Sequence, residues 1–161
     1  MATPTNLPAA VATGDVGTAA QFNNLRGAFR ILQVVQGTTT TVASTTSATY
    51  ADTTLTASIT PQSSTSKILV IVSQSIYTSA SGTGANIRVD RSGTTVTTSI
   101  DQCYGTASGL SAQYNMSYLD SPATTSALTY KTTFARNAGA GIVYAQVNNN
   151  LATIILMEVS A

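Results

Sequence analysis

The sequence predicts an all-β fold: an antiparallel β-sandwich of jelly-roll type, preceded by a short N-terminal arm. Three observations predict it. From residue 29 onward the apolar residues recur with a period of two, the recurring segments are rich in β-branched and aromatic residues, and turn-forming residues separate them without any helical pattern. Many short strands at even spacing with no helix between them imply two packed sheets. A chain of 161 residues is long enough to bury a core of its own.

The elements divide the chain into an arm, residues 1–28, and a sandwich domain, residues 29–161. The arm holds the one stretch with helical character, TAAQFNNLRGAF. There Thr18 can cap the first turn, Phe22 and Leu25 fall three apart on one face, and Gly27 can end the helix. So short a helix does not hold itself up in water. It is expected to gain order by docking on its own sheet, on a sister subunit or on a host surface, with Phe22, Leu25, Arg26 and Phe29 as the docking residues.

Nine strands follow, over 29–37, 54–60, 67–79, 85–91, 94–100, 111–120, 127–136, 141–147 and 151–159. Their separators are Pro61 with a Ser/Thr run, Ser92-Gly93 as a tight hairpin, Pro122, Gly139 with Gly141, and the corner Asn148-Asn149-Asn150, where left-handed backbone is cheapest after glycine. The segment TLTASIT alternates Leu55, Ala57 and Ile59 inward with Thr and Ser outward, as in a sheet with one wet face. By contrast ILVIV at 68–72 and IILM at 154–157 are apolar on both faces, which predicts strands packed between two layers or at a subunit axis. That surplus of apolar surface motivates the expectation of a homotrimer.

Composition narrows the function classes. Hydrophobic residues make up 43% of the chain and charged residues only 8%, against about 25% in an average domain. Thr, Ser, Asn, Gln and Gly must therefore form the polar surface. The net charge is +1 and the seven basic residues are scattered, so no phosphate-binding footprint exists and nucleic acid is not an expected partner. A surface with few charges does little to keep copies apart, which assembly into a larger object would explain. The N-terminal stretch has neither a basic region nor a sustained apolar run, and no apolar run approaches the ~20 residues that span a bilayer, so neither secretion nor membrane insertion is expected. Cys103 is the only cysteine and reads as a buried thiol.

The residues that could carry chemistry point away from it. There is no histidine, hence no common general base and no common metal ligand. The six acids, Asp15, Asp52, Asp90, Asp101, Asp120 and Glu158, show no paired-carboxylate spacing. Neither catalysis, a cofactor nor a metal is expected. Asp90, in VDRSG, is expected to accept backbone N–H bonds in a hairpin turn rather than to ligate calcium. Glu158 lies inside an apolar strand, where an unpaired charge is costly, so Arg30, Arg88 or Arg136 is expected to pair with it. The tyrosines at 77, 104, 114, 118, 130 and 144 could form a stacking platform for sugars, but tyrosine in a sandwich more often packs its ring in the core. The glycines of SASGTGAN precede a strand and not a helix, which fails the dinucleotide test.

Several phrases taken together, FRILQVVQGTTTT, TLTASITPQSSTSKILVIVS, SYLDSPATTSALTYKTTFAR and ATIILMEVSA, resemble a β-module of tailed-bacteriophage virion proteins over residues 29–161. The arm is similar to the leader that precedes such modules in phage fibres. The resemblance implies a tumour-necrosis-factor-like jelly-roll homotrimer, made in the host bacterial cytoplasm and located on the virion, with no catalytic residue. It leaves two roles open. One is a capsid decoration or cement protein whose partners are itself and the major capsid protein or other virion proteins. The other is a tail-fibre tip or adhesin, whose loops 79–86 and 102–111 would contact a host surface glycan.

Overall fold

The computed structural model describes residues 31–160, all of them within the expected sandwich domain. Ten strands form two antiparallel sheets: β1 (Ile31–Thr39), β2 (Ala43–Thr45), β3 (Ala51–Ile59), β4 (Lys67–Thr78), β5 (Gly84–Arg91), β6 (Thr94–Cys103), β7 (Leu110–Asp120), β8 (Leu128–Ala138), β9 (Val143–Ala145) and β10 (Ala152–Val159). The first sheet runs β1-β10-β4-β7, and the second runs β3-β8-β5-β6. Every connection between these eight strands crosses from one sheet to the other except the β5–β6 hairpin, which is jelly-roll topology. The short strands extend the first sheet: β9 pairs with Ile76–Thr78 on the edge of β4 that β10 occupies lower down, and β2 pairs with β9. β2 was not expected, because TTTTVASTT carries no apolar alternation, and its place in the sheet is set by the neighbouring β9.

The core lies between the sheets. Leu55, Ile68, Ile76, Ile87, Phe134 and Leu156 are fully or almost fully buried there, with the rings of Tyr114 and Tyr130. β3 alternates as expected, with Leu55, Ala57 and Ile59 inward and Thr54, Thr56 and Ser58 in solvent. The β5–β6 turn holds Ser92 at φ 46° and Gly93 at φ 90°, the two left-handed residues that a two-residue hairpin of matching twist requires. Gly37 marks a place where the sandwich closes tightly: a Cβ there would overlap the Thr56 carbonyl of the other sheet.

One expectation is corrected by the layers. β4 and β10 are not covered on both sides among the described residues. Ile68, Val70 and Val72 are sealed in the core, whereas Leu69 and Ile71 lie on the outer face of the first sheet and are only partly buried.

Candidate interaction surface

The two outer faces of the sandwich differ in chemistry. On the second sheet the outer face is polar and charged. Asp90 accepts from Thr95 Oγ1 at 2.8 Å and from Thr133 Oγ1 at 2.9 Å, and Arg88 Nε lies 3.1 Å from the same carboxylate. The Arg88 guanidinium sits 4.0 Å over the Tyr50 ring, and Lys131 pairs with Asp52 at 2.6 Å. Contrary to expectation, Asp90 therefore does not accept backbone N–H bonds in the hairpin turn. It closes a network of side chains across β5, β6 and β8, because the pleat places it on the same face as Thr95 and Thr133.

On the first sheet the outer face is apolar at one end. Strand register puts Val34, Met157, Leu69 and Leu119 in one row across four strands. The next row is Gln36, Ile155, Ile71 and Ser117, and the following one, Thr38, Thr153, Ser73 and Asn115, is wholly polar. Ile31, Val34 and Leu119 are 52%, 56% and 48% exposed. The only charged side chain in these ladders' outer rows is Lys67, opposite Val159 at the end of the sheet. The apolar patch thus occupies the end of the face where the chain enters β1, which is also where residues 1–30 must join the domain. Cross-strand rows of this kind are how a sheet presents a continuous surface. A contiguous apolar surface with a polar surround is the pattern of an interaction site.

Buried polar groups fix the ends of this sheet. Glu158 is fully buried and accepts from Gln33 Nε2 at 2.6 Å and from the Gln62 N–H at 2.7 Å. Gln33 uses its other amide proton on the Thr60 carbonyl at 2.7 Å, so one pair of side chains ties β1, β10 and the β3–β4 turn together. Burial alone would raise the Glu158 carboxyl, but the hydrogen bonds from Gln33 and the Gln62 N–H work against it, and the group is held below the ordinary carboxylate range. Among the described residues neither expected arginine pairs with it: Arg88 serves Asp90 and Arg136 donates to the Gly141 carbonyl at 3.3 Å, while Arg30, the third one named, lies outside the described residues. Among the described residues the donors to Glu158 are amides, and a carboxylate accepting several N–H bonds is stabilised in its charged form by them.

At the same end of the sandwich Asp120 Oδ2 accepts from Arg91 at 2.5 Å and from the Tyr130 hydroxyl at 2.7 Å. Burial, then the adjoining Asp120 carboxylate, pushes the Tyr130 phenol far above its usual value. Near the opposite end Gln74 and Gln146 are both fully buried, and their side-chain amides face one another. Cys103 is a buried thiol, as expected, 3.2 Å from the Leu110 carbonyl. The tyrosines divide: Tyr114 and Tyr130 are core residues, Tyr77 and Tyr144 pack ring on ring at 5.8 Å, and Tyr104 and Tyr118 are exposed.

The docking residues Phe22, Leu25, Arg26 and Phe29, with the arm helix, lie outside the described residues. Among the described residues no helix is long and apolar enough to cross a membrane, and no three metal-ligating side chains come together. Loops 79–86 and 102–111 are brought together: Ser81 Oγ donates to the Thr106 carbonyl at 2.6 Å and the Gly82 N–H to the Gly105 carbonyl at 2.8 Å. Sequence reasoning missed the sidedness of the sandwich. The signal was present in ILVIV and IILM, since a strand apolar on both faces leaves one of them outside a two-layer fold.

No known family profile and no curated protein matches the chain. Among solved structures it is similar to the infectious bursal disease virus VP2 subviral particle, with 13% identity over 81% of this chain and a TM-score of 0.48. It is also similar to dimeric latent PorU from Porphyromonas gingivalis, with 8% identity over 82% of this chain and a TM-score of 0.48. The chain spans 33% of the first and 13% of the second.

Proposed function

We propose that this chain is a non-enzymatic structural protein of a bacteriophage virion, a homotrimer that decorates the capsid and reinforces joints between major capsid subunits. The observation that carries the reading is the apolar outer face of the β1-β10-β4-β7 sheet, set against the polar and charged face on the other side. With strands about 4.8 Å apart and rows about 6.8 Å apart, the patch measures on the order of 300–400 Å² per subunit. A specific interface needs about 800 Å² from each partner. The patch is therefore the centre of a contact, and the arm, which joins the domain beside it, supplies the remainder through Phe22, Leu25 and Phe29. Many copies acting together would stabilise the shell by mass action.

Light scattering on the purified full chain should give about three times 16.5 kDa. Leu69→Asp places a charge at the middle of the patch and should reduce that mass to one chain while leaving the fold intact; a trimer that survives this change overturns the role given to the face. Immunogold labelling of intact particles should place the protein on the head. The second reading, a tail-fibre tip or adhesin, is favoured by the pairing of loops 79–86 and 102–111 at the end of the sandwich away from chain entry, and label confined to the tail would select it.

A further inference from the structure

The outer face of the second sheet ends in a cluster of side chains that neither the core nor the proposed contact face uses. At its centre is Gly84, the first residue of β5. A Cβ on Gly84 would lie 2.8 Å from Asp101 Oδ1 and 3.3 Å from the Tyr104 ring, so the carboxylate and the ring stand over a floor that only glycine leaves open. Asp101 is held from both sides: its N–H donates to Asn86 Oδ1 at 3.0 Å, and its carboxylate accepts from Asn137 Nδ2 at 2.7 Å. Asp101 has φ 52°, a left-handed conformation inside a strand that costs energy for a residue other than glycine and turns its carboxylate toward this cluster. Tyr104 is 56% exposed, so part of its ring is open to solvent.

We propose that Asp101, Tyr104, Asn86 and Asn137 form a binding site for a neutral pyranose unit of a surface polysaccharide. The chemistry follows from what the cluster leaves unused. Asp101 Oδ2 can accept from a sugar hydroxyl, Asn86 Nδ2 can donate to the neighbouring one, and the Tyr104 ring offers an apolar surface to the C–H face of the ring. Such a ligand matches a site that mixes one carboxylate, two amides and one aromatic ring. The fixed carboxylate disfavours anionic sugars through like-charge repulsion. Placement also suits an outward-facing role. β4 runs 12 residues from the chain-entry end to the loops beside Gly84, so the site stands about 35–40 Å from the end of the sandwich where β1 begins, on the sheet opposite the apolar patch. Gly84, Asn86 and Tyr104 belong to the loops 79–86 and 102–111 that the second reading uses, so the proposal rests on that reading and not on the contact assigned to the first sheet.

Titration of the 15N-labelled full-length protein with galactose, mannose, glucose and N-acetylglucosamine, each to about 100 mM, tests the site by NMR. At least one sugar should shift the amides of residues 84–86, 101–104 and 137 with a millimolar midpoint. Tyr104→Ala and Asp101→Asn should each weaken that midpoint at least tenfold. Asp101→Gly provides the discriminating variant, since it relieves the left-handed backbone while removing the carboxylate. It should fold with an unchanged or higher Tm and bind no sugar. If no sugar moves these amides, or if the shifts persist in Tyr104→Ala, the site does not exist. Loss of binding by a protein that still scatters as a trimer leaves the assembly reading standing.

Discussion

Replacing Glu158 by glutamine keeps the shape of the side chain and removes its charge, which makes it a sharp test of how the sheet is fastened at the chain-entry end. In the native protein Oε2 accepts from Gln33 Nε2 and Oε1 from the Gln62 N–H, at 2.6 and 2.7 Å. A glutamine oxygen can keep one of these bonds. Its NH₂ group must then face the other donor, leaving a buried N–H unpaired. A hydrogen bond to a charged group contributes about 1.5–3 kcal/mol, so Glu158→Gln should cost about 2 kcal/mol at neutral pH. For a domain of this size that is roughly a 6–10 °C fall in Tm. Denaturant melts at matched protein concentration measure it.

The same carboxylate predicts a pH dependence with a definite sign. Its folded pKa lies below the ordinary value of 4.5. Its contribution is therefore fully present above about pH 4.5, and it is lost as the pH falls through the lower folded value. The stability gap between the native protein and Glu158→Gln should be constant from pH 7 to about 5 and close progressively below 4.5. A gap that stays constant through pH 3, or a variant as stable as the native protein at pH 7, would refute the claim that amide donors hold an ionised Glu158.

Two further changes probe the sandwich. Gly37→Ala drives a methyl group into the Thr56 backbone carbonyl, which no side-chain rotation can relieve, and it should cost at least 1–3 kcal/mol in a urea melt. Asp120→Ala leaves the Arg91 guanidinium without its partner and the Tyr130 hydroxyl without its acceptor; a loss of about 3–5 kcal/mol is expected, with Asp120→Asn losing less.

The strands were legible because their signals are local. The alternation of Leu55, Ala57 and Ile59 and the Ser92-Gly93 turn are set by pleat and backbone sterics within a few residues, and both appear where the sequence places them. β2 was not legible, since its pairing is supplied by a strand about a hundred residues away. Partners of buried charges were equally hidden. Nothing in the spacing of Gln33, Gln62 and Glu158 indicates that they meet, whereas charge alone suggested an arginine. Asp101 and Tyr104 had no signal as a pair with Asn86 and Asn137, because that cluster exists only once β5, β6 and β8 lie side by side.

The distribution of the few charges connects fold to assembly. Of the charged side chains in the described residues, Asp120 and Glu158 are used inside or at the closed end of the sandwich, and Arg88, Asp90, Lys131 and Asp52 are gathered on the second sheet. The outer face of the first sheet is left with Lys67 at its margin. A monomer gains nothing from that arrangement, because an exposed apolar face promotes association and the net charge of +1 offers no repulsion to oppose it. An assembly gains a contact that pays no desolvation penalty for charge. The patch is also confined to one end: the row of Val34, Met157, Leu69 and Leu119 gives way within two rows to Thr38, Thr153, Ser73 and Asn115. Subunits that converge at the patch end bury the apolar rows and leave the polar rows wet, so the axis of the proposed trimer belongs at the end where the arm joins, with the Gly84 cluster facing outward at the other.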